Sequence, residues 1–278
     1  MENSVVIVNG ARTPMGGFQG DFNDVTSPDL GAVVIKEAVS RAGVQPQDIE
    51  EVIMGSILTA GVGQSPARQA MRKAGIPDAA GALNINKLCG SGMKAIMLGA
   101  NAIRGGEFDI VVAGGMESMT NAPYVLPKAR GGYRMGDGEI KDTMFLDGLK
   151  DAETGKLMGV FAQEMADKRG ITREAMDAFA IESLSRANNA INQGHFKDEI
   201  VPVTIKTRKG DVVIDTDEQP GKANVAKIPT LRPAFSKEGT VTAANSSSIS
   251  DGAAAVVLMS KAKAAEKGLK PQARIVAQ

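Results

Sequence analysis

The chain has 278 residues, with 32 Lys plus Arg balancing 32 Asp plus Glu. That length suits one large or two ordinary domains with a substantial core. The even charge, the absence of Trp and the presence of only two Tyr argue against a nucleic-acid surface. One cysteine excludes an internal disulfide framework and fits a reducing compartment. The first strand-like run, Val5 to Val8, starts almost at Met1, so we expect no signal or transit peptide and a cytoplasmic location. No apolar run approaches membrane-spanning length.

Taken in order, Val5-Val6-Ile7-Val8 is a β-branched run suited to a buried strand, ended by Asn9-Gly10. Ser27-Pro28 then opens a helix carrying Leu30, Val33, Val34 and Ala38, with Gly43 as its stop. Val52-Ile53-Met54 with Ile57-Leu58 is a second strand, Pro66 to Lys73 a short helix, and Leu83 to Ile85 a third strand. Cys89, Gly90, Ser91 and Gly92 follow, before an apolar helical run. Asp109 to Ala113 is a fourth strand, stopped by Gly114-Gly115. Alternation of strands and helices predicts a mainly parallel sheet covered on both faces.

That rhythm breaks after Glu117. Residues 118 to about 159 are rich in Gly, Pro and Met and show no sustained period. Thr172 to Asn192 is an amphipathic helix, stopped at Gly194. Ile200 to Val203 with Ile205, and Val212 to Ile214, are strand candidates around a Lys209-Gly210-Asp211 turn. The sheet pattern resumes at Ala253 to Met259, then comes a helix from Lys261 and a strand-like tail, Ala273 to Ala277.

Chemistry concentrates at Cys89. Met93, Ile96, Met97, Ala100 and Ile103 recur at helical spacing, while Ala95, Leu98, Gly99 and Ala102 keep the other side apolar. A helix apolar nearly all round is expected to be buried. Cys89 then sits on a strand-to-helix turn at the positive end of that helix, where an anion is favoured. Thiolate is the nucleophilic form of cysteine. A lone cysteine is as readily a small buried hydrophobe, and helix placement by itself does not separate the two.

Other motifs exclude more than they assign. Gly61-Val62-Gly63-Gln64 fails as a dinucleotide fingerprint, because Pro66 stands where the third small residue belongs. A phosphate-binding G-x-x-x-x-G-K-[ST] loop is absent from the sequence. One Cys and one His cannot build a zinc site, so no metal is expected. His195, the only histidine, lies in a polar turn beside a helix stop and reads as a surface residue rather than a base for Cys89.

Several runs then converge: NGARTP from Asn9, GQSPARQ from Gly63, CGSGMKA from Cys89 and AGGMESM from Ala113. FKDEIVPV from Phe196, LRPAF from Leu231, GTVTAANSS from Gly239 and SDGAAAVVLMS from Ser250 continue the series. In this order they make the chain resemble the amino-terminal part of a thiolase. The resemblance implies an α/β thiolase-like fold, a mixed, mainly parallel sheet flanked by helices with an inserted α+β loop domain. On this reading residues 1–117 and 249–268 form the amino-terminal half, 118–248 the loop domain, and 269–278 the start of a second half-repeat absent from this chain.

The resemblance further implies an acetyl-CoA C-acetyltransferase that condenses two acetyl-CoA to acetoacetyl-CoA, or cleaves it, through an acyl-enzyme on Cys89. The Cys89 backbone N–H would serve as one oxyanion donor. Leu149, Met158, Leu231, Ala234, Phe235, Ala243 and Ser247 carry over as contacts to the CoA arm, an amide chain that needs an apolar slot. No permanently bound cofactor is expected, and coenzyme A thioesters are the substrates. Leu157 stands where short-chain members often carry His, and Pro220 where an Arg near the nucleotide is common. Lys222, Arg208 or Lys209 are then candidates for the phosphates. The second half's His, Asn and Cys have no counterparts here. Alternatives are a non-catalytic CoA-binding or assembly module and a 3-ketoacyl-CoA thiolase of longer-chain preference. We expect a homo-oligomer, dimer or tetramer, or a separate second-half chain as partner, and neither nucleic acid nor membrane.

Overall fold

A computed structural model describes residues 4–278; Met1 and the start of the chain lie outside the described residues. The amino-terminal part runs β1 (Val5–Arg12), β2 (Gly16–Gly17), α1 (Ser27–Ala42), β3 (Glu51–Gly55), α2 (Pro66–Lys73), β4 (Gly81–Ile85), α3 (Ser91–Arg104) and β5 (Ile110–Ser118). The middle carries β6 (Tyr124–Val125), β7 (Lys141–Asp142), a π-turn at Met144–Leu149, α4 (Met158–Arg169), α5 (Arg173–Gln193), β8 (Val203–Thr207), β9 (Gly210–Ile214) and α6 (Glu218–Lys222). β10 (Ser250–Ser260), α7 (Lys261–Glu266) and β11 (Ala273–Arg274) complete it.

The main sheet has the order β11-β1-β10-β5-β3-β4, with β2 on β10. β3 pairs in parallel with β4 and β5. β10 lies antiparallel between β1 and β5, so β1, β5, β3 and β4 all run one way. This is the mixed, mainly parallel sheet that the alternating pattern predicts.

Side chains alternate across the strands, as a pleated sheet requires. Val52, Met54, Val112, Val257 and Met259 face a layer built by α1 and α2. Ile53, Val111, Ala113 and Leu258 face α3, where Ala95, Ala100 and Ile103 meet them. Local signals match their elements. Thr26 caps α1 by accepting from Asp29 N–H, with Pro28 in the first turn and Gly43 at φ 70° as the stop. Thr172 caps α5 in the same way and Gly194 ends it at φ 71°.

Four expectations are corrected. First, α3 is buried on one side only: Ala95, Gly99 and Ala100 are buried, but Met93 is 65% exposed. Among the described residues its outer face, with Met93, is not covered by a layer as its inner face is by the sheet. Second, Asn9-Gly10 do not end β1, which runs to Arg12, and Gly114-Gly115 do not stop β5, which continues to Ser118. Their purpose is close approach, since a Cβ on Gly114 would stand 2.0 Å from the Ala254 carbonyl oxygen. Third, Ile57 and Leu58 lie outside β3, because their N–H groups donate to the Glu117 carboxylate instead of to a neighbouring strand. Fourth, the tail forms only the two-residue β11 beside β1, and the hairpin strands begin at Val203 rather than Ile200. α4, with no strong apolar stripe, went unassigned in the sequence.

Candidate acyl-transfer site

In the parallel register Gly55 sits beside Ile85 and Gly115, so the carboxy-terminal ends of β3, β4 and β5 share one edge of the sheet. β10 starts at that edge, with Asp251 beside Ser118. The turn to α3, the segments after β3 and β5 and the loop before β10 therefore gather at one end. Ligand sites of open α/β sheets form at the ends of parallel strands.

Cys89 is exposed there, between β4 and α3. The turn around it is tight. Leu88 adopts φ 49°, a left-handed conformation unfavourable for a branched side chain. Ser91 holds the turn: its Oγ accepts from Lys87 N–H at 2.8 Å and donates to the Leu88 carbonyl at 2.6 Å. Gly90 is the N-cap of α3 and supplies no side-chain cap, so the helix start beside the thiol stays open to another group. The thiol has no hydrogen-bond partner among the described residues. His195 is exposed past the end of α5 and its N–H donates to the Ala190 carbonyl, so it sits in a surface turn as expected.

The remaining predicted contacts form a second cluster. Lys150 and Leu157 pair across a short bridge, which sets Leu149 beside Met158 at the start of α4. The tip of the Phe235 ring meets Gly159, where a Cβ would stand 2.1 Å from Phe235 Cζ. Ala234 N–H donates to the Val241 carbonyl, and the Leu231 carbonyl accepts from Arg173 at 3.0 Å. Ala243 and Ser247 are exposed on a turn that Asn245 fixes. Asn245 Oδ1 accepts from Thr242 N–H, while its Nδ2 donates to Asp177 and to the Thr240 carbonyl.

Behind this cluster stands Gln163, 5% exposed on α4. Its Oε1 accepts from Thr240 and Val241 N–H, and its Nε2 donates to Asp167 and Thr240 Oγ1. Gln163, Arg173 and Asp177 thus hold the loop bearing Leu231 to Ser247. The sequence reading missed all three, as it missed Ser91. Gln163 lies on the unassigned α4, while Arg173 and Asp177 lie on the expected α5, whose apolar stripe carries no signal for polar partners; Asn245 lies inside a motif already singled out.

Two clefts occur elsewhere. Gln64, Ser65, Arg68, Gln69, Arg72 and Lys73 line one, and the other lies between α5 and the segment from Asp215 to Asp217. Neither includes Cys89. Of the phosphate candidates, Lys222 is tied to Glu218 and Asp21, while Arg208 and Lys209 are exposed at the β8–β9 turn. Among the described residues no group of three or more His, Cys, Asp or Glu is placed to hold a metal ion. No helix among them is long and apolar enough to cross a membrane.

Residues 5–262 match the family model described as the thiolase amino-terminal domain. An acetyl-CoA acetyltransferase of Cupriavidus necator is 55% identical over 273 residues, covering 98% of this chain and 70% of the relative. One from Syntrophomonas wolfei is 51% identical, covering 99% and 70%. One from Candida albicans is 51% identical, covering 98% and 68%.

Proposed function

The chain belongs to the thiolase family, and on that premise we propose that it transfers acetyl groups between coenzyme A thioesters through Cys89. The Cys89 sulfur attacks the carbonyl of acetyl-CoA, the carbon–sulfur bond to CoA breaks, and CoA departs as its thiol. A second acetyl-CoA then loses an α-proton to a base, and its carbanion displaces Cys89 to give acetoacetyl-CoA; thiolysis is the reverse. Cys89 N–H would stabilise the oxyanion formed at each addition.

The observation that carries this is the lone cysteine, exposed on a strained turn at an uncapped helix start. Leu149, Met158, Leu231, Ala234, Phe235, Ala243 and Ser247 would line the pantetheine slot. A slender amide chain fits a partly apolar groove with few polar groups. Residues 118–248 would act as a loop domain on a half made of 1–117 and 249–268, with 269–278 leading into a second half.

The proton taken from the second acetyl-CoA needs a base, and the described residues place none beside Cys89. The chain spans about 70% of the length of the Cupriavidus relative. We assign that base to a second half, on the same polypeptide or on a partner chain. A cytoplasmic homo-oligomer fits the single cysteine and the apolar outer face of α3.

Intact mass after incubation with acetyl-CoA tests the assignment. An acetyl increment that disappears in Cys89→Ala supports it, and no increment on the wild-type chain sinks it. The missing thiol partner favours a second reading, a CoA-binding or assembly module without turnover; it predicts CoA binding with no thiolysis even when a second half is supplied. Leu157, where short-chain members often carry His, bears on acyl-chain preference, and a series of 3-ketoacyl-CoA lengths would reveal a longer-chain enzyme.

A further inference from the structure

Glu117, the last residue but one of β5, turns its carboxylate toward the segment after β3. Its Oε2 accepts from Ile57 N–H at 2.8 Å, and its Oε1 accepts from Leu58 N–H at 3.0 Å and from the Ser56 hydroxyl at 3.3 Å. A single carboxylate thus fixes three consecutive residues.

Those residues touch both parts of the proposed site. Ser56 N–H donates to the Ile85 carbonyl at 3.0 Å, at the point where the chain leaves β4 for the Cys89 turn. Gly55, one residue earlier, lies under the start of α3: a Cβ there would stand 2.5 Å from the Ser91 carbonyl carbon and 2.6 Å from Gly92 N. In the other direction Leu58, 4% exposed, reaches the π-turn bearing Leu149; a Cβ on Gly148 would stand 3.6 Å from Leu58 Cδ2.

We propose that Glu117 is a positioning residue that couples the Cys89 turn to the wall bearing Leu149, by holding residues 56–58 between them. The proposal rests on the acyl-transfer reading for the identity of the ligand but not for the placement of Cys89. Both carboxylate oxygens are needed. An amide offers only one oxygen, so Glu117→Gln turns an N–H2 group toward Ile57 or Leu58 N–H and releases one of them.

Cys89 is the only cysteine, so its alkylation by iodoacetamide is read without ambiguity. The full chain is compared as wild type, Glu117→Gln and Ile35→Ala, the last a core substitution in α1 remote from residues 55–58. Two quantities are measured: the alkylation rate, and the CoA concentration that half-protects Cys89. Glu117→Gln is expected to change the alkylation rate and raise the half-protecting concentration, each by about tenfold, because sub-ångström misplacement of reacting groups is costly. Ile35→Ala is expected to lower thermal stability and move neither. If Glu117→Gln matches Ile35→Ala in both readouts, the proposal is overturned. If CoA fails to protect even the wild type, the acyl-transfer reading falls, and the alkylation rate still decides whether Glu117 sets the turn. Should Glu117→Gln not fold, Leu58→Ala carries the test. A raised half-protecting concentration with unchanged alkylation supports the coupling, and an unchanged one overturns it.

Discussion

Gly55 and Ser91 meet backbone to backbone, with only 2.5 Å between the Ser91 carbonyl carbon and the place a Gly55 Cβ would occupy. The start of α3 is thereby pressed onto the end of β3, and on the other side a Cβ on Gly115 would stand 3.3 Å from the Gly92 Cα. Backbone atoms cannot step aside as a flexible side chain can. We predict that Gly55→Ala pushes α3 off the sheet, lowers stability by about 2–3 kcal/mol through overpacking and slows alkylation of Cys89. Urea denaturation and a timed iodoacetamide reaction check both effects; unchanged alkylation would show that the helix start does not set the thiol.

Ser91 and Leu88 make opposite contributions to the same turn. Ser91 is buried and both bonds of its hydroxyl lie within the turn. Removing it in Ser91→Ala leaves Lys87 N–H without that acceptor, a loss of about 1–2 kcal/mol. Leu88 is half exposed at φ 49°, so Leu88→Gly should relieve strain and leave stability level or raised by up to about 1 kcal/mol. Thermal denaturation of the two variants separates them by sign.

The order of the sheet elements and the Cys89 turn were legible because they rest on local signals. β-branched runs, Ser27-Pro28, Gly43 and Gly194 declare their elements without knowledge of their neighbours. Gly114-Gly115 misled because a glycine kept for close approach looks, in sequence, like one kept for a turn. The outer face of α3 misled because periodicity reports which residues are apolar, not what covers them. Gln163, Arg173 and Glu117 were invisible for a third reason: their partners are backbone groups 55 to 78 residues away. The spacing of side chains carries no trace of such bonds.

Gln163 is the strongest single hold on the loop bearing Ala234 and Ala243. Gln163→Ala would strand Thr240 and Val241 N–H, the second of them buried. We expect a loss of about 2–3 kcal/mol and weaker CoA binding, with Cys89 alkylation in the absence of CoA unchanged. Calorimetry with CoA beside the alkylation rate distinguishes this from general unfolding, which would move both.

Arg12 ties the sheet to the middle of the chain. Its guanidinium bonds Asp217 through both terminal nitrogens at 2.8 and 3.0 Å and Glu199 at 2.6 Å, and stacks over the Phe196 ring at 5.1 Å. Asp217 is 11% exposed, so Arg12→Ala leaves a largely buried carboxylate without its cation, costing about 3 kcal/mol. Arg12→Lys keeps a charge but cannot form the fork and should recover only part of that. Hydrogen exchange is expected to rise around residues 196–218 in both variants; protection unchanged there would remove Arg12 as the tie.

Burial pushes the Asp251 carboxyl above the ordinary carboxylate range, against hydrogen bonds from Thr120 and with the like charge of Glu218 adding to the rise. The residue is fully buried, and its Oδ2 has no hydrogen-bond partner. Burial likewise raises Glu117, despite the bonds from Ile57, Leu58 and Ser56. A carboxyl whose folded pKa is raised is favoured in its protonated form by the fold. Its stabilising contribution is full below its unfolded pKa, near pH 4 for an aspartate, and is lost as pH rises through the folded value. Glu218 runs the other way. Burial raises it, yet the bonds from Lys222, Asp21 and Gly17 outweigh that and leave it lowered, so its contribution is lost as pH falls. Asp251→Asn removes one titrating group and should flatten the decline in stability on the high-pH side while leaving the acid limb in place. Urea midpoints at about pH 5 and about pH 7.5 measure it: the difference between them should shrink in Asp251→Asn, and an undiminished difference would mean that Asp251 is ionised in the folded chain across that interval.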